Sequence, residues 1–409
     1  MKLIFKRLIN KIQYFDYMQK SIILTCTILI ACLYLITIYF NIIIELCFTN
    51  KSVMSKINKS TKLILYWNKL FDRDDFYIGH GDICKFCNDI PNDLTYASSN
   101  RKIKNIDDYD MILFHGSELD IYDLPNKRNN KQKYIYVNLE SPINRPIENE
   151  IFENFFNLTM TYRLDSDIPF TYSEIYDKKI GNIIGPLSNT SWKTFDYATD
   201  DDDNADLLKL IKKKKKNAIW FVSNCHTAGG REKYVEELSK HMNVDIFGRC
   251  GNEIKCPREE NCFKKIVEPE YYFYLSFENS LCQDYVTEKL FTALKYNVVP
   301  VVYGGANYSK FAPPNSYVNA LDFDSPKNLA EYLIKLSNDP NEYVKYFKWK
   351  KYYKLADDSN AARCKLCEIL HNDKRQYKFY DPLSAWYSKC PLQKKIDSLN
   401  PYLTKSSNN

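Results

Sequence analysis

Past its first 20 residues the chain carries almost no excess of charge. The whole sequence has 57 Lys and Arg against 51 Asp and Glu, a formal +6. Lys2, Lys6, Arg7, Lys11 and Lys20 against Asp16 account for +4 of that, leaving +2 for everything that follows. A polyanion-binding surface needs a sustained basic excess, so nucleic acid is not an expected partner. No period of 20 to 50 residues recurs, which excludes a repeat architecture. Low hydrophobicity is also missing: 409 residues, 45% hydrophobic and 26% charged, suffice for two ordinary domains and are too apolar for wholesale disorder.

One stretch lacks formal charge altogether, Ser21 to Ile44, SIILTCTILIACLYLITIYFNIII. A helix needs about 20 such residues to cross the hydrocarbon core. The run is longer than a cleaved signal peptide's and ends in Tyr39, Phe40 and Asn41 to Ile44 without a small-residue cleavage site, so an uncleaved signal anchor is expected. The basic first segment predicts a cytosolic N-terminus and a lumenal remainder. Ten cysteines lie beyond the anchor and stem, from Cys84 to Cys390, and in a lumenal compartment they tend to pair as disulfides. CKFC at Cys84 to Cys87 and CKLC at Cys364 to Cys367 would suit zinc in the cytosol, a reading the expected topology disfavours. Sequons at Asn58, Asn157, Asn189 and Asn307 are compatible with that topology.

The expected organisation is a cytosolic tail over 1–20, the anchor over 21–44, a polar stem over 45–61, and a first α/β domain over 62–199. A charged linker over 200–216, a second α/β domain over 217–390 and a polar tail over 391–409 complete it. In the first domain KLILYW, DMILFHG and QKYIYVNLES read as buried strands. In the second, NAIWFVSNC, NVDIFGRC, EYYFYLSFEN and NVVPVVYGG read as strands, and REKYVEELSKHM and QDYVTEKLFTALKY as helices. The acidic run Asp200 to Asp203 sits in the charged linker and not at a strand end, so it is not read as a metal motif.

The stretch YLSFENSLCQDYVTEKL, Tyr274 to Leu290, falls at the turn from a strand into a helix, the edge where α/β proteins place ligands. Tyr285, Glu288 and Lys289 are expected on the first helical turns. A helix N-terminus and an adjacent Lys suit a diphosphate, and Glu288 could accept bonds from sugar hydroxyls. By spacing alone such a Glu-Lys pair is more often surface decoration.

FYLSFENSLCQDYVTEKLF, with VVPVVYGGANYSKFAPPNSYVNALDFDSPKNLAEYL after it, resembles the α1,3-fucosyltransferases of glycosyltransferase family ten. NLESP at Asn138, FNLTMTYRLDSDIPF from Phe156, WFVSNC from Trp220 and the final CxxC are similar to the same family, over roughly Lys62 to Tyr387. The resemblance implies a GT-B fold, two facing Rossmann-like domains behind the anchor, in a single-pass type II Golgi membrane protein. It implies inverting transfer of L-fucose from GDP-fucose to O3 of an N-acetylglucosamine, with the acceptor on the first domain and GDP-fucose on the second. It makes Glu140 the general base, places Arg231 and Lys289 on the donor diphosphate, and lines the donor pocket with Asn279, Tyr285 and Glu288. His115 aligns only loosely with a family His and is given no role. No metal site and no cofactor are required, and Mn2+ stimulation is compatible with this. FGRCGNEIKCPREENC resembles invertebrate and plant enzymes that fucosylate the innermost N-acetylglucosamine of N-glycans. Antennal (Lewis-type or LacdiNAc) transfer and a non-catalytic lectin-like protein on the same fold are the alternatives. The resemblance also implies that Cys84 and Cys87 bridge to Cys364 and Cys367.

Overall fold

The computed structural model describes residues 29–41, 60–88, 90, 95–147, 152–194, 205–251, 261–356, 360–372, 379–380 and 382–390. The chain divides into two compact units, residues 1–61 and 62–409. In that first unit 29–41 form a helix, α1, while the remainder of the expected anchor, nearly all of the stem and the first 20 residues lie outside the described residues. Among the described residues no helix is long and apolar enough to cross a membrane.

The second unit, from Lys62 on, is built on two parallel sheets. The first contains β1 (Lys62–Tyr66), β2 (Thr95–Ser98), β3 (Met111–His115), β4 (Lys133–Asn138), β5 (Leu158–Thr161) and β6 (Ile168–Pro169), in the order β2-β1-β3-β4-β5-β6. β3 and β4 are nearly continuous apolar runs, as strands covered on both faces must be. A small antiparallel sheet begins next with β7 (Ile175–Asp177) and β8 (Ile183–Gly185). Within the segment expected as a charged linker, α2 (Ala205–Lys213) forms a helix that buries Ile211.

The second sheet follows as β9 (Lys216–Phe221), α3 (Arg231–Ser239), β10 (Val244–Phe247), a single turn α4 (Glu268–Glu270), β11 (Tyr271–Phe277), α5 (Glu288–Lys295), β12 (Val299–Tyr303) and β13 (Val318–Asn319). Its strand order is β10-β9-β11-β12-β13, all parallel. Helices α3, α6 (Pro326–Ser337) and α7 (Pro340–Val344) cover one face, where Tyr234, Val235, Leu329 and Leu333 join the cluster of Trp220, Phe273 and Leu275. The four predicted strands and the first predicted helix of this half are therefore present.

The second predicted helix starts later than expected. It begins at Glu288, and Asp284 takes a left-handed backbone with φ 59°. The buried Glu278 carboxylate accepts from the Thr287 amide at 2.8 Å and so fixes the helix start from nine positions upstream. Tyr285 consequently precedes the helix and does not lie on its first turn.

Two features join the halves. Leu290, Phe291 and Leu294 of α5 bury against Leu164 and Ile175 of the first half, together with Trp349 and Tyr353. Past α7 the chain returns: β14 (Tyr353–Leu355) pairs antiparallel with β7, and α8 (Asn360–Asn372) carries disulfides Cys84–Cys367 and Cys87–Cys364. The two CxxC pairs thus bridge to each other across this unit as expected, and these four sulfurs are not available as thiolates for zinc. Cys225–Cys250 and Cys282–Cys390 pair as well, the latter just after α9 (Leu383–Tyr387).

Candidate active site

The carboxyl edges of β4 and β11 supply the centre of the site. Glu140 leaves β4 two residues after its end, and its own amide is fixed by Asn138 Oδ1 at 2.9 Å. Its Oε1 accepts three bonds, from the Ser141 amide at 2.8 Å, Asn144 Nδ2 at 3.1 Å and Tyr285 Oη at 2.5 Å. Its Oε2 has no partner among the described residues. Three donors on one oxygen hold the carboxylate in a single orientation and leave the other oxygen open to a further donor.

Tyr285, which donates one of those bonds, is 1% exposed and meets Tyr162 edge-on at 5.0 Å between ring centres. Burial raises its pKa well above the usual phenol value, so it stays a donor. Nearby, Ser141 Oγ and Ser280 Oγ are 2.7 Å apart, and the Leu164 amide donates to Asp284 Oδ2 at 3.3 Å. Tyr387 Oη donates to the carbonyl of Glu140 from α9. The base candidate is therefore gripped by residues from the second sheet and from the returning C-terminal segment.

A second group forms where β11 runs into α5. Glu278 is 1% exposed and accepts from Thr287 N, Thr287 Oγ1 at 2.9 Å and Lys289 Nζ at 3.0 Å. Burial raises its pKa, opposed by Lys289. Lys289 Nζ also reaches Thr287 Oγ1 at 2.6 Å and Glu288 Oε1 at 3.3 Å. Burial pulls the Lys289 pKa down, but the two carboxylates outweigh it and the net shift is upward, so the ammonium persists. Glu288 is largely exposed, and its contact to Lys289 is the longest of the three.

Arg231 opens α3 after Gly230, whose left-handed φ of 64° turns the chain into the helix. Its Nη1 donates to the Phe277 carbonyl at 2.8 Å, Nη2 to the Asn224 carbonyl at 3.2 Å, and Nε to Glu232 Oε1 at 3.2 Å. Each terminal nitrogen keeps a second N–H without a partner among the described residues. Asn279 is adjacent: its carbonyl accepts from the Gly229 amide at 3.0 Å, and its side-chain Oδ1 is buried with no partner among the described residues. Arg231 and Asn279 are thus joined through the β11 edge, and Lys289, Glu288 and Glu278 form a connected cluster at the same edge.

Of the residues expected from sequence, Glu140 and Tyr285 touch directly, and Tyr285 faces Glu140. Glu278 was not anticipated, although its position at the end of an apolar strand is a usable signal. His115 is fully buried, with Nδ1 2.8 Å from the Lys69 carbonyl and Nε2 without a partner among the described residues. Burial lowers its pKa to about 4. Among the described residues no group of three His, Cys, Asp or Glu could hold a metal ion. The sequon Asn157 is buried, and its Oδ1 accepts from the Tyr134 amide at 2.9 Å, so it is not a surface acceptor. Asn189 and Asn307 are exposed, and Asn58 lies outside the described residues.

Residues 211–386 match the glycosyltransferase family 10 (fucosyltransferase) C-terminal region, and residues 59–173 match the fucosyltransferase N-terminal region. The chain belongs to glycosyltransferase family ten, the fucosyltransferases. Among curated relatives, α-(1,3)-fucosyltransferase C of Drosophila melanogaster is 38% identical over 305 residues, 73% of this chain and 70% of that protein. Glycoprotein 3-α-L-fucosyltransferase A of the same organism is 36% identical over 304 residues, 73% of this chain and 55% of that protein. A solved α1,3-fucosyltransferase with GDP-fucose matches with a TM-score of 0.47 at 16% identity, covering 79% of this chain and 96% of that one. The resemblance to family-ten α1,3-fucosyltransferases expected from the FEN and TEK phrases is borne out. In this family-ten fucosyltransferase both matched regions fall on the two parallel sheets.

Proposed function

We propose that the enzyme transfers L-fucose from GDP-fucose, with inversion, to O3 of an N-acetylglucosamine on glycoprotein glycans, favouring the innermost N-acetylglucosamine of N-glycans. The observation that carries the mechanism is the Tyr285 bond to Glu140, which presents one free carboxylate oxygen at the junction of the two sheets. Single-displacement inversion needs a base on the acceptor side and positive charge on the leaving diphosphate. Glu140 Oε2 takes the proton of the attacking hydroxyl. The free N–H groups of Arg231 and the Lys289 ammonium receive the departing GDP, and Asn279 Oδ1 and Glu288 accept from the donor. Lys289 already spends its three protons on Glu278, Thr287 and Glu288, so donor binding displaces the weakest and most exposed partner, Glu288. Released, Glu288 turns to sugar or ribose hydroxyls.

The same reading makes the two sheets a GT-B pair, with the acceptor on the first half and the donor on the second. It makes the protein a single-pass type II Golgi membrane enzyme, anchored over 21–44. The disulfides support an oxidising compartment. Preference for the innermost N-acetylglucosamine draws on the Cys-rich phrase alone, while the printed name of the 36% identical glycoprotein 3-α-L-fucosyltransferase supports a glycoprotein acceptor. The test is to incubate the full chain with GDP-fucose, a core N-glycan peptide and an N-acetyllactosamine acceptor, and to read products by mass spectrometry. Fucose on the innermost N-acetylglucosamine upholds the reading. Fucose on the antenna alone keeps the mechanism and discards the acceptor, and no transfer from folded protein discards both.

A further inference from the structure

The four residues Cys282 to Tyr285, just ahead of α5, are each held by a residue far away in the sequence. Cys282 is bonded to Cys390, and the Gln283 amide donates to the Lys389 carbonyl at 3.1 Å. Asp284 Oδ2 accepts from the Leu164 amide at 3.3 Å, and Tyr285 Oη donates to Glu140 Oε1 at 2.5 Å. Gly305 backs the segment closely: an added Cβ there would stand 2.4 Å from the Leu281 carbonyl and 2.7 Å from the Cys282 oxygen.

The same four residues form a turn. The Tyr285 amide donates to the Cys282 carbonyl at 3.3 Å, and the third residue, Asp284, has φ 59°. A left-handed third residue redirects the chain in such a turn, and Asp is among the few residues besides Gly that take that backbone readily. Gln283 to Val286 suit a helix by composition, so a right-handed Asp284 would let α5 begin there and carry Tyr285 on its first turn. The left-handed residue takes Tyr285 out of the helix and brings its ring against Tyr162 and its hydroxyl to Glu140. Asp284 does this from the interior. It is 7% exposed, and its carboxylate meets the first half at Leu164, two residues after the Tyr162 ring on which Tyr285 packs.

We infer that Asp284 is a positioning residue, whose left-handed backbone and bond to Leu164 aim Tyr285 at Glu140 and through it orient the base. The inference rests on the proposed transfer for the role of Glu140 and on the turn itself for the placement of Tyr285. Alanine removes the acceptor and disfavours the left-handed backbone, whereas asparagine keeps an acceptor oxygen and tolerates that backbone. Asp284→Ala in the full chain should lower kcat about tenfold with the GDP-fucose KM within about twofold, and Asp284→Asn should recover most of that loss. In a Tyr285→Phe background Asp284→Ala should lower kcat by less than about twofold more, because the hydroxyl it places is already gone. An unchanged kcat in Asp284→Ala, or an equal loss in both backgrounds, overturns the inference. Asp284→Gly, which accepts the left-handed backbone and removes only the bond to Leu164, is read in the same two backgrounds should the alanine variant fail to fold. If Glu140→Gln keeps near-normal turnover, or the wild-type chain transfers no fucose, the proposed function fails on its own, and the placement is read from a crystal structure of the Asp284 variant. A Tyr285 hydroxyl withdrawn from Glu140 upholds the placement, and an intact bond overturns it.

Discussion

Tyr285 and Glu140 stand 145 positions apart in the chain, yet a hydrogen bond of 2.5 Å joins the Tyr285 hydroxyl to Glu140 Oε1. The phenol comes from the approach to α5, the carboxylate from the exit of β4. Orientation of the base therefore depends on the second sheet being seated. We predict that Tyr285→Phe, which keeps the buried ring, lowers kcat about tenfold and leaves the GDP-fucose KM within about twofold. Steady-state kinetics decide this, since a raised donor KM at unchanged kcat would move Tyr285 back to the donor pocket.

Glu140→Gln preserves volume and an acceptor for Tyr285 but removes the proton-accepting oxygen. Turnover should fall by about 10^2 to 10^4, the usual worth of a general base, with GDP-fucose affinity by calorimetry unaltered. Near-normal turnover would take Glu140 out of the mechanism.

Arg231→Ala and Lys289→Ala should each raise the GDP-fucose KM strongly, and unchanged donor affinity in both would defeat their assignment. Lys289→Ala also strands the Glu278 carboxylate in the interior, where loss of one partner costs about 3–5 kcal/mol. Glu278→Gln in that background should recover part of the loss in urea denaturation. Independent, additive effects of the two changes would mean that Glu278 acts apart from Lys289.

His115 titrates at about 4 in the fold against 6.5 when unfolded, because burial disfavours its charged form. A depressed folded pKa means the unfolded chain binds more protons between those values. Stability is thus fully present above pH 6.5 and is lost as pH falls toward 4, by up to about 3 kcal/mol. Asn retains an N–H for the Lys69 carbonyl without titrating, so His115→Asn should flatten that part of the pH profile of thermal unfolding. An identical slope in both proteins would refute the assignment to His115.

The sheets were legible because parallel strands covered on both faces leave uninterrupted apolar runs, as in MILFH of β3 and YYFYLSF of β11. β2, the four residues Thr95–Ser98, is too short and polar to stand out. The start of α5 was misplaced because Gln283 to Val286 suit a helix by composition, whereas the group that caps it, Glu278, is supplied by the preceding strand's end. Motif resemblance named Glu140, Arg231 and Lys289, but the Tyr285 hydroxyl on Glu140 and the Phe277 carbonyl on Arg231 come from distant positions, which spacing does not encode. The same holds for the cysteines: bridging of the two CxxC pairs was expected, and the crossed pattern, Cys84 with Cys367 and Cys87 with Cys364, needed the structure.

Cys84 and Cys87 find their partners 283 and 277 residues later in the chain. A ribosome adding roughly 5–20 residues per second therefore exposes the first sheet for tens of seconds before its covalent partners exist. During that interval the two early thiols lie three positions apart in the chain, and a premature Cys84–Cys87 bond would shut α8 out. Maturation of this enzyme is therefore a matter of timing, in which the last elements made decide whether the first ones are correctly closed.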